Sequence, residues 1–199
     1  MRCGLLGEKL GHSYSPELHA FFGNYDYELF EVPPDQLGDF IRARDFQGLN
    51  VTIPYKTTML AICDDLTEAA AAIGSVNTVV KQLDGSLLGD NTDAAGFEGM
   101  VWKSRMRILG RKCLVLGSGG ASLSVQYVLR KLGAGEIVVI SRTGEDNYTN
   151  LDRHRDASIL VNTTPVGMYP QIDEMPVGRE ILENTEYVFD AVYNPMETK

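Results

Sequence analysis

The sequence predicts an α/β protein with two domains, each built on a mostly parallel sheet. In the first part of the chain, apolar residues follow strand periodicity and helix periodicity in turn. The alternating segments are residues 3–7, 16–22, 25–32, 34–44 and 48–54. This alternation is the order of a parallel α/β sheet. In the second part, the aliphatic run of CLVLGSGGAS (residues 113–122) leads through glycines into a helix, which predicts a Rossmann-type βαβ unit.

Three further elements are expected between these two signals. The alanine-rich segment TEAAAAIG (residues 67–74) predicts a helix. Asp84-Gly85 favours a tight hairpin turn between two extended runs. A third element, a helix, is expected from Asp93 to about residue 102.

The domain boundary is expected in the basic stretch KSRMRILGRK (residues 103–112) that follows this helix. We predict a first domain over residues 1–104 and an abbreviated Rossmann domain over residues 105–199. The predicted elements of the second domain after its first strand are a helix at 124–134 and strands at 136–143, 158–168 and 187–195.

Charge and hydropathy exclude several function classes. The 199-residue chain has a formal net charge of −9 at pH 7, whereas a sequence-independent nucleic-acid surface needs clustered Lys and Arg. No apolar run approaches the roughly 20 residues of a membrane helix or has the pattern of a signal peptide. We therefore expect a cytoplasmic protein that binds neither nucleic acid nor a membrane.

The cysteines give no sign of a metal or a disulfide. Cys3, Cys63 and Cys113 are odd in number and lack CxxC or Cys/His spacing. We expect buried thiols in a reducing compartment, and no metal site.

The glycine-rich loop at residues 117–122 (GSGGAS) predicts a dinucleotide site. Gly117 would make the tight turn after the strand, and Gly119 would let the backbone approach a pyrophosphate at the helix N-terminus. A GxG pattern alone is weak, but the strand before it and the helix after it are the context that the fingerprint requires. The expected cofactor-binding residues of this loop are Gly117, Ser118, Gly119, Gly120 and Ala121.

The residues at the end of the next strand favour NADP over NAD. Ser141, Arg142 and Thr143 supply a cation and two hydroxyls, a combination suited to the 2′-phosphate of NADP. Glu145 and Asp146 just beyond would repel that phosphate, so NAD remains the alternative.

Two serines flank a tyrosine in GEKLGHSYSP (residues 7–16). With strand-like spacing, the hydroxyls of Ser13 and Ser15 can face one way and bind one polar group together. Pro16 suits the first turn of a helix, which would make Ser15 its N-cap. Both interpretations stand on these residues alone. His12, beside the serines, is expected to have a structural role.

Eight motifs occur in one order along the chain: HSYSP, GLNVTIPYK, GSVNTV, GDNTDAAG, GSGGAS, SRT, NTTPVGMYP and DAVYNP. With these motifs in this order, the sequence closely resembles the shikimate dehydrogenase family over essentially its whole length. The related quinate/shikimate dehydrogenases share the same motifs.

The resemblance implies a role for each residue that matches a family motif. Ser13 and Ser15 match the residues that hold the substrate carboxylate. Lys56 matches the catalytic lysine, and Asp93 matches an aspartate that is paired with it and binds a ring hydroxyl. The substrate-binding residues implied in this way are Ser13, Ser15, Asn50, Thr52, Asn77 and Tyr193.

The activity implied is reversible, NADPH-dependent reduction of 3-dehydroshikimate to shikimate in aromatic amino-acid biosynthesis. The first domain would then bind substrate and the second NADP. The alternatives are an NAD-dependent quinate/shikimate dehydrogenase and a catalytically silent ligand-binding domain. Small-molecule partners and a monomer or homodimer are expected.

The sequence departs from the family pattern in two places. Residues 144–158 form a short connection where the family commonly has a full helix and an additional strand. The chain ends at NPMETK, where the family continues through further helices, so the C-terminal helices are expected to be missing.

Overall fold

Two separate sheets organise the chain. The computed structural model describes residues 1–11 and 13–199, so His12 and its expected structural role lie outside the described residues. The described residues form two compact units, Met1–Thr92 and Asp93–Lys199.

The first unit contains a six-stranded sheet with order β2-β1-β3-β5-β6-β4. Its strands are β1 (Arg2–Gly7), β2 (Asp26–Glu31), β3 (Gly48–Val51), β4 (Asp65–Leu66), β5 (Thr78–Lys81) and β6 (Leu87–Asp90), and its helices are α1 (Ser15–Phe22), α2 (Leu37–Ala43) and α3 (Glu68–Ile73). Short 3-10 helices occupy Pro34–Gln36 and Thr58–Ala61. β1 pairs in parallel with β2 and β3, while β5 runs antiparallel to β3 and β6.

Local sequence explains where these elements turn and stop. The hairpin predicted at Asp84-Gly85 is confirmed: the Asp84 carboxylate accepts the Ser86 amide hydrogen at 2.9 Å, and Gly85 has a φ of 88°. The predicted alanine-rich helix is α3, which begins after an N-cap at Thr67 whose hydroxyl accepts the Ala70 amide at 3.2 Å.

Helix α1 differs from its sequence pattern. It begins at Ser15 after an N-cap at Tyr14, and no side chain caps it, so the prediction that Ser15 is the N-cap is wrong. The Ser15 hydroxyl is engaged with the Ser13 hydroxyl instead, at 3.0 Å. The helix buries none of its residues, and the apolar side chains of Phe21 and Phe22 are exposed.

The two faces of the first sheet have different characters because side chains alternate along each strand. Leu6, Phe30 and Leu49 lie in the buried apolar core with Leu37 and Ile41 of α2. The intervening residues of the same strands face the other side, where polar side chains gather.

The second unit contains a fully parallel four-stranded sheet with order β10-β9-β7-β8. Its strands are β7 (Lys112–Leu116), β8 (Glu136–Ile140), β9 (Ile159–Asn162) and β10 (Tyr187–Asp190), and its helices are α4 (Asp93–Ser104), α5 (Gly120–Lys131) and α6 (Arg179–Leu182). β7 is wholly apolar from Cys113 to Leu116 and fully buried there. A strand covered on both faces in a parallel sheet has this composition.

Helix α4 belongs to the second unit. Glu98 of α4 forms an ion pair with Lys131 of α5 at 2.8 Å. The sequence places the boundary after this helix, at residue 104, whereas the structure divides the chain before it, after Thr92. The contacts between α4 and α5 decide the grouping, and no local pattern in the sequence reports them.

The connection between β8 and β9 is short, as the sequence predicts. It contains one 3-10 helix, Leu151–His154, and no longer element. Across the described ranges, no helix is both long and apolar enough to cross a membrane.

The core predicts the cost of a truncation in β1, an interior strand of the first sheet. Leu6 of β1 is fully buried, so Leu6→Ala should lower the free energy of unfolding by about 3 kcal/mol through lost burial and the cavity left behind. Urea unfolding followed by circular dichroism measures this loss. Leu83→Ala is the matched control, since Leu83 is fully exposed and its truncation should change stability by less than about 0.5 kcal/mol. Equal losses in the two variants would contradict the core assignment.

Candidate functional site

The polar face of the first sheet carries a cluster that we call the serine cluster: Ser13, Ser15, His19, Tyr27 and Asn50. The Ser13 hydroxyl donates to the Ser15 hydroxyl at 3.0 Å. The Tyr27 hydroxyl donates to Asn50 Oδ1 at 2.7 Å. The His19 ring stacks on the Tyr27 ring with centroids 3.7 Å apart and planes 15° apart. The structure thus brings together three predicted substrate-binding residues, Ser13, Ser15 and Asn50.

Burial sets the protonation of this cluster. It raises the pKa of Tyr27 to about 12, partly opposed by the hydrogen bond with Ser15. It also lowers the pKa of His19, against a smaller opposing effect of its hydrogen bond with Asn50. At neutral pH the tyrosine is therefore protonated and the imidazole uncharged. A small anion would meet hydroxyl and amide donors here.

Tyr27 and His19 are members of the cluster that the sequence interpretation missed. Tyr27 of β2 pairs with Cys3 of β1, and Asn50 of β3 pairs with Leu5 of β1. Because Cys3 and Leu5 are two residues apart on one strand, their side chains and those of Tyr27 and Asn50 point to the same face of the sheet. His19 lies four residues after Ser15 in α1, on the same side of that helix. The spacing in α1 was available from the sequence, but the strand register was not.

Thr52, Lys56 and Asn77 lie on two chain segments that run side by side. The Val51 amide donates to the Asn77 carbonyl at 2.7 Å, and the Val76 amide donates to the Lys56 carbonyl at 2.8 Å. The Thr52 amide donates to the carbonyl of Leu6, at the end of β1. Backbone hydrogen bonds therefore fix the positions of the main chain from which these three side chains project.

The side chain of Asn77 anchors the end of the first unit. Asn77 is buried, and its Nδ2 donates to the Thr92 hydroxyl at 3.0 Å while its Oδ1 accepts the Thr92 amide at 2.9 Å. Thr92 directly precedes Asp93, the first residue of α4. The buried amide thus holds the segment that leads to the predicted catalytic aspartate.

Two of the predicted catalytic and substrate-binding residues belong to the second unit. Asp93 is half-buried at the start of α4. Tyr193 follows β10 and is exposed.

The carboxyl edge of the second sheet carries the glycine loop. Gly117 has a φ of 100°, as a tight turn requires, and its amide donates to the Ile140 carbonyl at 2.8 Å. A Cβ at Gly117 would lie 2.9 Å from the Thr163 hydroxyl oxygen. Gly119 is the N-cap of α5, with no side-chain cap and open space where a Cβ would stand. The first amides of this helix therefore face an open position suited to an anion.

Ser122 stands where the GxGxxG fingerprint of dinucleotide-binding proteins has its third glycine, and helix α5 accommodates its side chain. Ser122 is fully buried, and its hydroxyl accepts a hydrogen bond from Gln126 at 3.0 Å. Gln126 in turn accepts from Arg130 at 2.9 Å. Because the hydroxyl is satisfied within the helix, its burial carries little penalty.

The loops after β9 and β10 complete this edge. Asn162 donates to Asp190 at 3.0 Å and accepts the Thr164 amide at 3.0 Å. Asp190 also accepts from the Thr198 hydroxyl at 2.8 Å. These bonds tie the NTTP and DAVYNP motifs to each other, so the motifs shape the edge of the sheet.

The residues expected to bind the cofactor phosphate follow β8 at the same edge. Arg142 and Thr143 are exposed, and Ser141 is half-buried. Arg142 lies close enough to Tyr148 to lower the pKa of its hydroxyl, although burial raises that pKa overall. The guanidinium therefore lies within electrostatic range of the Tyr148 hydroxyl.

The cysteines are unpaired and unsuited to chemistry. Cys113 is buried, while Cys3 and Cys63 are half-buried. Burial raises the pKa of Cys63 and of Cys113 to about 11, so both are thiols at neutral pH. Among the described residues no group of three or more His, Cys, Asp or Glu could hold a metal ion.

A parallel sheet with a glycine turn, an uncapped helix N-terminus and a cation after the next strand defines a dinucleotide-binding α/β protein. Comparison with known proteins gives the family. The family described as "shikimate dehydrogenase substrate binding domain" matches residues 5–79. Shikimate dehydrogenase (NADP(+)) from Clostridium perfringens is 38% identical over 217 residues, which cover 98% of this chain and 80% of that protein. The chain belongs to the shikimate dehydrogenase family.

Solved structures agree with this assignment. Shikimate dehydrogenase 1 from Peptoclostridium difficile superposes with a TM-score of 0.91 at 32% identity, covering 99% of this chain and 79% of that one. The Thermus thermophilus enzyme, solved in complex with NADP(H) and shikimate, has a TM-score of 0.84 at 34% identity, with 98% and 80% covered. Quinate dehydrogenase from Corynebacterium glutamicum in complex with NAD has a TM-score of 0.84 at 26% identity, with 100% and 82% covered.

The serine cluster predicts a pH dependence of stability. The pKa of Tyr27 is about 12 in the folded protein, whereas in an unfolded chain it is the ordinary value of about 10. The stability that comes from this raised pKa is therefore present below about pH 10 and is lost as the pH rises to about 12. In Tyr27→Phe, the free energy of unfolding should be lower at neutral pH by about 1 kcal/mol for the lost hydrogen bond to Asn50, and should fall less steeply in that alkaline window. Urea unfolding across the alkaline range tests this; superimposable pH profiles would contradict it.

The glycine loop predicts an asymmetry between two neighbouring glycines. Gly117→Ala should lower the free energy of unfolding by about 2 kcal/mol, because the added Cβ meets Thr163 in a strained, positive-φ conformation. Gly119→Ala is the matched control: its backbone is extended and its Cβ would be in open space, so the loss should stay below about 1 kcal/mol. Thermal unfolding of both variants measures the difference, and equal losses would contradict the assigned turn.

Proposed function

We propose that this protein is an NADP-dependent shikimate dehydrogenase that reversibly reduces 3-dehydroshikimate to shikimate in aromatic amino-acid biosynthesis. The observation that carries the proposal is the presence of two matched parts in one chain of this family: the serine cluster on the first sheet and the glycine loop with Arg142 on the second. The similarity to NADP(+)-dependent relatives over 98% of the chain supports it.

The second unit fits the cofactor. The open position at Gly119 and the uncapped N-terminus of α5 suit the pyrophosphate. The exposed Arg142 suits the 2′-phosphate, with hydroxyls from Ser141 and Thr143 beside it in the chain. The remaining residues proposed to contact the dinucleotide are Gly117, Ser118, Gly120 and Ala121.

The first unit fits a small hydroxylated carboxylate. Ser13 and Ser15 are already joined by a hydrogen bond and present their hydroxyls together, which suits one carboxylate. Asn77 and Asp93 are the proposed partners of the ring hydroxyls. Asn50 and Thr52 are proposed to contact the substrate, and Tyr193 of the second unit is proposed to contribute to binding. A site built from such groups discriminates against analogues that lack a hydroxyl, because its own polar groups are then left unpaired.

The chemistry requires one proton transfer beside the hydride transfer. When bound, the nicotinamide of NADP accepts or donates the hydride. Lys56 is proposed to donate a proton to the carbonyl oxygen during reduction and to take it back during oxidation. Asp93 is proposed to share this role. The hydrogen bonds from the buried Asn77 side chain to Thr92, the residue before Asp93, support this proposal because they order the segment that leads to Asp93.

An NAD-dependent quinate/shikimate dehydrogenase is the second candidate. The observation that favours it is Glu145, an exposed carboxylate three residues after Arg142, which would repel a 2′-phosphate. Comparing shikimate with quinate and NADP⁺ with NAD⁺ separates the two candidates.

The proposal extends to location and partners. The unpaired cysteines support a cytoplasmic location, and the net charge of −9 supports small molecules rather than nucleic acid as partners. A monomer or homodimer is proposed.

The decisive experiment is NADP⁺-dependent oxidation of shikimate, followed by the absorbance of NADPH. Lys56→Ala should lower kcat at least about a hundredfold with a much smaller change in the KM for shikimate, because the lysine is proposed to transfer the proton in the transition state. Lys103→Ala, which removes an exposed lysine of α4, is the control and should match the parent protein. A parent protein that binds shikimate without turnover would instead favour a ligand-binding role, and full activity in Lys56→Ala would remove its catalytic role.

A further inference from the structure

The connection after β8 is a tightly hydrogen-bonded loop, which we call the clamp loop (residues 141–154). The Ser141 amide donates to the Asp146 carbonyl at 3.2 Å, which closes the turn around Arg142. The Asn150 side chain donates to the Glu145 carbonyl at 2.9 Å. Further side-chain bonds to backbone groups within the loop come from Asn147. The loop is therefore held by its own polar groups.

His154 ends the clamp loop, is buried, and lies outside the eight motifs. Its Nε2 lies 2.8 Å from Asp146 Oδ1, and the two side chains are 11% and 32% exposed. A carboxylate only accepts hydrogen bonds, so Nε2 carries the proton and donates it. The bond links the last residue of the loop to a carboxylate three residues after Thr143, the last of the residues predicted to bind the 2′-phosphate.

Stability alone does not explain a histidine at this position. His154 Nδ1 is buried without a hydrogen-bond partner among residues 1–11 and 13–199. Burying an unsatisfied polar atom is costly, and an apolar side chain of similar size would avoid that cost. The feature that an apolar side chain could not supply is the bond to Asp146.

That bond engages a carboxylate four residues after Arg142. Arg142 is exposed and forms no ion pair with any residue that the structure describes, although Asp146 follows it by only four residues. A released Asp146 carboxylate would be free to pair with the guanidinium or to repel a phosphate bound there. In the structure, the Asp146 carboxylate is held by His154 instead.

We infer that His154 is a positioning residue for the 2′-phosphate of NADP: by holding the Asp146 carboxylate, it keeps Arg142 available to that phosphate. The inference rests on the NADP-binding function proposed above. It also explains how Asp146, four residues after Arg142, is compatible with NADP, whereas the sequence alone suggested that this carboxylate would repel the 2′-phosphate.

The first test is equilibrium binding, measured by titration calorimetry without turnover. The probes are NADP⁺ against NAD⁺, and adenosine 2′,5′-bisphosphate against adenosine 5′-monophosphate, so each pair differs by one phosphate. His154→Leu should weaken binding of the two 2′-phosphate ligands about fivefold and leave the other two within about twofold. His154→Gln, which keeps an N–H donor near the position of Nε2, should restore most of the loss.

The double variant His154→Leu/Asp146→Asn separates charge from structure. Removing the carboxylate should return the preference for the 2′-phosphate ligands to the parent level, although the loop still lacks histidine. A double variant that stays as weak as His154→Leu would show a purely structural role and overturn the inference. Thermal unfolding of each variant reports whether the loop keeps its fold.

A second pair of variants tests the inference without touching the buried histidine. Asp146→Asn should leave the ratio of NADP⁺ to NAD⁺ affinity within about twofold, because its carboxylate is already held away from the phosphate. Glu145→Gln, which removes the exposed neighbouring carboxylate, should raise that ratio severalfold. An equal rise in both variants would show that Asp146 faces the phosphate, and would overturn the inference.

The outcomes also distinguish this inference from the proposed function. If the parent protein binds NADP⁺ no better than NAD⁺, the NADP assignment fails and the inference fails with it. If the parent prefers NADP⁺ and all His154 variants keep the same preference, only the inference fails.

Discussion

The turn at Gly117 is the constraint on which the second unit depends. The strand before it is buried between two neighbours, and the helix after it must start at once for its amides to face a ligand. The positive φ of Gly117 makes that reversal possible, and the close approach of Thr163 leaves no room for a Cβ. The NTTP loop therefore packs directly against the glycine loop at Gly117.

In the first unit, the corresponding constraint is the ordering of polar side chains on one face of the sheet. Tyr27, His19 and Asn50 support one another through a stacked pair of rings and hydrogen bonds. Burial keeps the tyrosine protonated and the imidazole neutral. The serines therefore stand beside uncharged donors, an environment that suits a carboxylate better than one with a fixed negative charge would.

Much of the fold and part of the site could be predicted from local patterns. The hairpin at Asp84-Gly85 and the strand–glycine–helix signal are encoded within a few residues each. The motifs identified the family, although the roles of Lys56, Asp93 and the other site residues stay predictions. Tyr27 could not be found from local patterns, because its contact with Asn50 depends on the pairing of β2 and β3 with the intervening β1. The grouping of α4 with α5 was likewise a matter of tertiary contact.

By itself, the sequence determined the order of most strands and helices, the two-part α/β organisation, the family, and the side-chain types available at each motif. These follow from periodicity, turn chemistry and short motifs, which act over a few residues. Only the tertiary structure decided that Ser15 pairs with Ser13 rather than capping α1, and that Asp146 is held by His154 rather than left beside Arg142. The partners are only two and eight residues apart, but the folded backbone decides which of several nearby polar groups come within hydrogen-bond distance, and residue type alone does not specify that conformation.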